Sequence, residues 1–280
     1  LSHTASNILA EEVIKCADKI HTISGEMSAY SIFLSTGAES VEFALRYSKF
    51  INKKSGIICF DKGYHGLTLG TQSVTFGGKF ANPYISDIYT VPVPDYIHSA
   101  KTEEEYINEF ANLVHNIHHK VSAVIMEPVV SVGGMLFPSS NYFQSIRLIC
   151  NKYNLLLIFD ESQTGFGRLG TWFAYQQYNI IPDIVCLAKG IGLGYPVSMV
   201  LFRDKLITDK VFTMTHYSSH QNDAFAASIV NAGIKYIEKY NLLKKVKENG
   251  QYFLNTLQKL CAINPHIKNP RGLGLMLGAD

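Results

Sequence analysis

The sequence has little with which to build a disulfide frame. Its five cysteines, Cys16, Cys59, Cys150, Cys186 and Cys261, are odd in number, widely spaced and never form a C-x-x-C pair. Free thiols in a reducing compartment fit that usage, so the expected location is cytoplasmic. Charge is sparse as well, at 17% of residues with a formal net charge of +2. Basic residues fall in short pairs such as Lys53-Lys54 and Lys244-Lys245, which build no face for a polyanion. Nucleic acid is therefore not an expected partner. No apolar stretch reaches the roughly 18 residues that a membrane helix needs. Leu1 to Ala10 lacks the basic-then-apolar order of a signal peptide, and no membrane partner is expected. Internal repeats and low-complexity linkers are absent too.

What the sequence does hold is apolar substance, 47% of 280 residues, enough to bury a large core in one big domain or two ordinary ones. Both ends are abrupt: there is no initial Met, and the chain stops at Asp280 just after the apolar stretch 273–279. A piece of a longer protein is the expectation.

Short aliphatic runs alternate with longer helical segments. Strands are expected at Ser31–Leu34, Gly56–Phe60, Ala123–Met126, Leu155–Phe159, Ile184–Leu187 and Val197–Phe202. Helices are expected at Ile8–Ile20, Glu39–Ile51, Glu103–His119, Tyr142–Tyr153, Ala224–Tyr240 and Leu242–Leu260. Several of the strands are apolar throughout, as strands covered on both faces are. Together these patterns predict an α/β fold with a mostly parallel sheet. In such sheets ligands sit beyond the carboxyl ends of the strands. Gly37-Ala38-Glu39, the stretch Asp61 to His65, Glu127, Asp160-Glu161 and Lys189 all fall at those ends.

Lys189 follows the apolar run 184–188 and precedes a glycine-rich stretch, 190–194, that would let backbone approach a bound ring. Lysine forms a Schiff base well where its amine is held neutral and desolvated. A lysine capping a strand beside a flexible turn would look the same. Asp160 closes the run 155–159, where an unpaired buried carboxylate is costly. A pyridinium nitrogen would hold it ionised, and so would a turn that it caps. Gly37-Ala38-Glu39 joins a strand to a helix whose free N–H groups suit a phosphate, as at any strand–glycine–helix turn.

The run Gly165-Phe-Gly-Arg-Leu-Gly170 matches G-x-G-x-x-G, but five residues, two of them acidic, separate it from its strand. A dinucleotide turn follows its strand directly, so that reading is set aside. His115, His118 and His119 lie on a polar helix face without a cysteine or carboxylate at ligand spacing, and are read as solvated. No G-x-S-x-G turn is present.

Taken together, the segments Ser35-Thr-Gly-Ala-Glu-Ser40, Tyr64-His-Gly66, Glu127-Pro128, Asp160-Glu-Ser-Gln-Thr-Gly-Phe-Gly-Arg168, Pro182-Asp-Ile-Val-Cys-Leu-Ala-Lys-Gly190 and Arg271-Gly-Leu-Gly274 resemble the class-III aminotransferases. That is a fold-type-I family dependent on pyridoxal 5'-phosphate (PLP). Around Thr36–Ser40, Glu127–Gly134 and Ser219–Asp223 the wording is closest to dialkylglycine decarboxylase-like members. The resemblance implies a large PLP-binding domain over residues 1–240. Residues 241–280 would be a linking helix and the beginning of a small C-terminal α+β domain, with Arg271 to Asp280 its first strand.

The resemblance also implies roles. Lys189 carries the cofactor through a Schiff base, Asp160 pairs with its ring nitrogen, and Gln163 bonds the ring hydroxyl. Tyr64 stacks on the ring with His65 beside it, and Glu127 is a structural acid nearby. Thr36, Gly37 and Ala38 take the phosphate. Ser219 stands where the family has a threonine reaching a neighbouring subunit's phosphate, which implies a homodimer. The implied activity is transfer of an amino group between a small-molecule amino donor and a keto-acid acceptor. Decarboxylation-dependent transamination and a catalytically silent PLP-fold binding protein are the alternatives. Two positions depart from the family: Asp223-Ala224 in place of a proline, and Val132 in place of a glutamate found in members acting on ω-amino acids.

Overall fold

The computed structural model describes residues 10–76, 87–206 and 216–280. Among them, a seven-stranded sheet forms the centre. Its strands are β1 (Tyr30–Leu34), β2 (Gly56–Phe60), β3 (Ile88–Val91), β4 (Val121–Met126), β5 (Leu156–Asp160), β6 (Ile184–Leu187) and β7 (Ser198–Phe202), in the order β1-β7-β6-β5-β4-β2-β3. β3, β2, β4, β5 and β6 are parallel, while β7 is antiparallel to both β6 and β1. Six strands therefore point one way and β7 alone the other. The expected mostly parallel sheet is present, with one reversed strand that composition gave no means of orienting.

The apolar strands are buried on both faces because their alternating side chains feed two cores. Ile57, Cys59, Ala123, Ile125 and Ile158 face one, and Ile58, Phe60, Val124, Met126 and Phe159 face the other. The first is closed by α2 (Gly37–Asn52) through Val41, Phe43, Ala44 and Tyr47. The second is closed by α1 (Glu11–Ser24), α4 (Glu103–Ile117), α5 (Ser140–Tyr153) and α7 (Ala224–Lys239). Short helices α3 (Leu69–Ser73) and α6 (Ala174–Tyr178) complete the loops between strands. Helices thus cover both faces, and the loops at the strand ends are left free to build a site.

The long α8 (Leu242–Ile263) leads to the C-terminal residues. The stretch from Arg271 onward, expected as a single strand, folds back as an antiparallel hairpin of β8 (Arg271–Leu273) and β9 (Met276–Gly278). The turn depends on Gly274, whose φ of +56° is strained for other residues, and a Cβ there would lie 2.5 Å from Leu169 Cα. No described helix is long and apolar enough to cross a membrane.

Candidate active site

The carboxyl ends of β1, β2, β5 and β6 meet at a cavity of about 470 Å³. Its wall includes Thr36, Gly37 and Ala38 from the start of α2, Tyr64 and His65 after β2, Asp160 at the end of β5, and Lys189 after β6. Seven of the ten residues singled out from the sequence share this wall. Glu127, Gln163 and Ser219 are not part of it.

Each wall residue is placed by local chemistry. Thr36 caps α2, its side-chain oxygen accepting from Glu39 N–H at 3.1 Å, while Glu39 Oε2 accepts from Ser35 N–H at 2.8 Å. These two bonds fix the helix start and leave the Gly37 and Ala38 N–H groups for an anion. A Cβ on Gly37 would press within 3.1 Å of Ser162 Oγ and 3.2 Å of Ala188 Cβ, so a larger residue would crowd the seat. Lys189 opens a 3-10 turn with φ at +47°, a left-handed conformation that a lysine adopts at a cost.

The floor of the cavity is a buried charge cluster. Asp160 Oδ2 lies 2.9 Å from His65 Nδ1, and its Oδ1 accepts from Ser162 N–H at 3.1 Å. Burial alone would push the Asp160 carboxyl up; the His65 bond and charge, with the Ser162 bonds, outweigh it and hold it below its ordinary value. For His65, burial favours the neutral ring, but the bond to Asp160 and the nearby carboxylates raise it on balance. Each partner thus favours the charged form of the other, against the burial of both. Glu127, 4% exposed, accepts from Tyr64 N–H at 2.7 Å. Burial pushes its carboxyl up to about 7, with His65 opposing and Asp160 adding to the rise. Lys189 is lowered by desolvation against the pull of Asp160 and Glu127, which keeps more of its amine neutral.

Gln163 is half-buried and donates from Nε2 to Ser131 Oγ at 2.6 Å. Ser219 is exposed in a turn before α7. Val132 is exposed, on the turn that follows Glu127-Pro128. Sequence reasoning missed Ser162, although an Asp whose side chain accepts from the N–H two residues on is a recognisable Asx turn. It also missed Leu67, Tyr195 and Pro196 on the cavity wall, which no motif distinguishes.

A carboxylate kept ionised, a lysine amine pushed toward its neutral form and an open helix start suit three parts of one ligand: a ring nitrogen, an aldehyde and a phosphate. This donor set fits PLP. A class-III aminotransferase family model matches residues 1–280, and the chain belongs to that family of PLP-dependent enzymes. It is 33% identical to a [LysW]-aminoadipate semialdehyde/glutamate semialdehyde transaminase of Sulfolobus acidocaldarius, covering 100% of this chain and 68% of that protein. It is 31% identical to an acetylornithine aminotransferase of Methanosarcina mazei, over 100% of this chain and 67% of the relative. A crystallised transaminase from the marine bacterium Virgibacillus superposes with a TM-score of 0.90 at 26% identity, covering 98% of this chain and 65% of that one. The chain spans about two thirds of the length of the relatives it matches.

Proposed function

We propose that this protein moves an amino group from an amino acid or amine to a keto acid, with Lys189 holding the cofactor covalently. The observation that carries the reading is the meeting of the Lys189 amine and the buried Asp160–His65 pair in one cavity with the start of α2. Bound PLP would supply an aldehyde that takes the amino group and a ring that accepts electrons from the substrate carbon. Asp160 would keep the ring nitrogen protonated. Tyr64, held by Glu127, would cover the ring, and Gln163 would reach its hydroxyl. Gly37 and Ala38 would hold the phosphate. The Lys189 Nζ, when not bonded to the cofactor, would be the base that takes a proton from the substrate carbon and the acid that gives it back.

The same reading makes the active unit a homodimer in which the Ser219 hydroxyl serves the partner's phosphate. Its exposure outside the cavity wall supports that role. Cysteines without disulfides support a cytoplasmic setting.

The test incubates PLP-loaded protein with single amino donors, ornithine derivatives and 4-aminobutyrate among them, without an acceptor. Stoichiometric keto product, loss of the visible band and its return on adding a keto acid are expected. Carbon dioxide release together with a ketone and the transferred amino group, from a dialkyl amino acid donor, would favour decarboxylation-dependent transamination, and no change with any donor would sink the reading.

A further inference from the structure

Behind the cavity wall runs a chain of hydrogen bonds that the proposed chemistry does not use. It starts at Glu42, half-buried on α2 one turn after Ala38. Glu42 Oε2 accepts from Thr68 Oγ1 at 2.6 Å, Gly70 N–H at 2.9 Å and Thr71 N–H at 3.2 Å. A single carboxylate oxygen thus takes three donors at the start of α3. A Cβ at position 70 would lie 2.4 Å from Glu42 Oε1 and would displace that carboxyl.

From α3 the chain continues inward. Thr75 Oγ1 is bonded to Thr71 O at 2.9 Å and to Gly66 O at 3.0 Å, and it accepts from His65 N–H at 2.9 Å. His65 in turn carries the contact to Asp160. The same face of α2 meets the Tyr64–Gly66 turn directly, since residues four apart share a helix face. A Cβ on Gly66, whose φ is +113°, would lie 2.6 Å from Ala38 Cβ. Helix α2 therefore presents its start to the cavity and its Ala38–Glu42 face to the turn that bears Tyr64 and His65.

We infer that Glu42, acting through Thr75, is a positioning residue that sets the Tyr64–His65 turn, and with it the Asp160 contact, in register with the start of α2. One carboxylate outside the cavity thereby couples the phosphate end of the site to its ring end. The inference rests on the cofactor reading above, because its effect is read on bound PLP.

The experiment compares wild type, Glu42→Ala, Glu42→Gln and Thr75→Val as PLP-loaded holoenzymes. It measures PLP dissociation constants and the pH midpoint of the visible absorbance. Glu42→Ala and Thr75→Val should each bind PLP about tenfold more weakly, the loss of one to a few hydrogen bonds, and both should shift the midpoint. Glu42→Gln keeps an acceptor oxygen and should recover most of the loss. A general loss of packing would not move the midpoint in Thr75→Val, which preserves side-chain volume and removes one hydroxyl. Wild-type affinity and midpoint in Glu42→Ala or Thr75→Val would overturn the inference. If Glu42→Ala fails to fold by circular dichroism, the Thr75→Val readings decide alone. Wild type that never acquires a visible band would instead sink the cofactor reading.

Discussion

The rim where β5 and β6 end and the C-terminal pair of α8 and its hairpin are built in opposite ways. Every residue of β5 and β6 is buried, and Asp160 and Lys189 stand on that floor. In α8 only Gly250 is buried, and in the hairpin only Met276. The hairpin is fastened instead by polar contacts. Arg271 donates to Gly134 O at 2.7 Å and Met135 O at 3.0 Å and pairs with Asp280 at 2.8 Å, while His98 bonds Asp280 at 2.7 Å. A reactive group needs a support that cannot give, and apolar burial from both faces supplies it. A segment at the surface is held mainly by hydrogen bonds and by the close approach of its turn to Leu169.

The sharpest way to expose this contrast is to remove the group the floor supports. Lys189→Ala should leave the fold intact and abolish both the covalent cofactor and measurable turnover. Borohydride reduction and peptide mapping of wild type should find the label on Lys189, and a label on another lysine would refute the assignment. Next comes Asp160→Asn, which leaves His65 buried without its counter-ion. The mutant should still bind PLP but lose about 3 kcal/mol, roughly a hundredfold in rate of proton removal. Single-turnover kinetics with a deuterated donor would show whether that step slowed.

The two regions should also part in stability. Phe159→Ala, in the floor itself, should cost about 3–5 kcal/mol in urea unfolding. Arg271→Ala should cost about 1–2 kcal/mol, as a few partly solvated bonds do. Equal losses would mean that the hairpin is as integral to the fold as the sheet.

An effect of similar size concerns pH. Glu127 titrates at about 7 in the folded chain against 4.5 ordinarily, so the folded state binds more protons between those values. Its favourable share is complete below pH 4.5 and is lost as pH rises through about 7. Glu127→Gln should flatten that decline in the cofactor-free protein by on the order of 1–3 kcal/mol between pH 5 and 7.5. A slope unchanged from wild type would show that Glu127 is not the group titrating.

The floor was also the legible part. Gly56–Phe60 and Ile184–Leu187 have the bounds that their apolar runs imply, and Leu156–Asp160 is displaced by one residue. Burial on two faces writes itself into a strand as an unbroken apolar run. β3 was missed because Ile88–Val91 is a partly exposed edge strand whose apolar run is broken by the exposed Thr90. The hairpin was missed because its turn hangs on the conformation of Gly274 and a contact with distant Leu169, neither visible locally. In the site, apolar runs ending in charge drew attention to Lys189 and Asp160 but left other readings open, and only the family resemblance implied their roles. The His65–Asp160 contact joins residues 95 apart in sequence and needed the fold to reveal it.

The left-handed backbone at Lys189 bears on how this enzyme can be repaired after the lysine is lost. Its φ of +47° is one that glycine takes freely and that costs other residues about 1–2 kcal/mol. Lys189→Gly should therefore melt no lower than Lys189→Ala, although glycine ordinarily loosens a chain. It would also leave a channel the width of a lysine side chain, open to small primary amines. Ethylamine added to Lys189→Gly should restore part of the proton transfer, and more of it than in Lys189→Ala, whose methyl group stands in the way. The place of the proposed reactive amine is, for the backbone, a glycine's place.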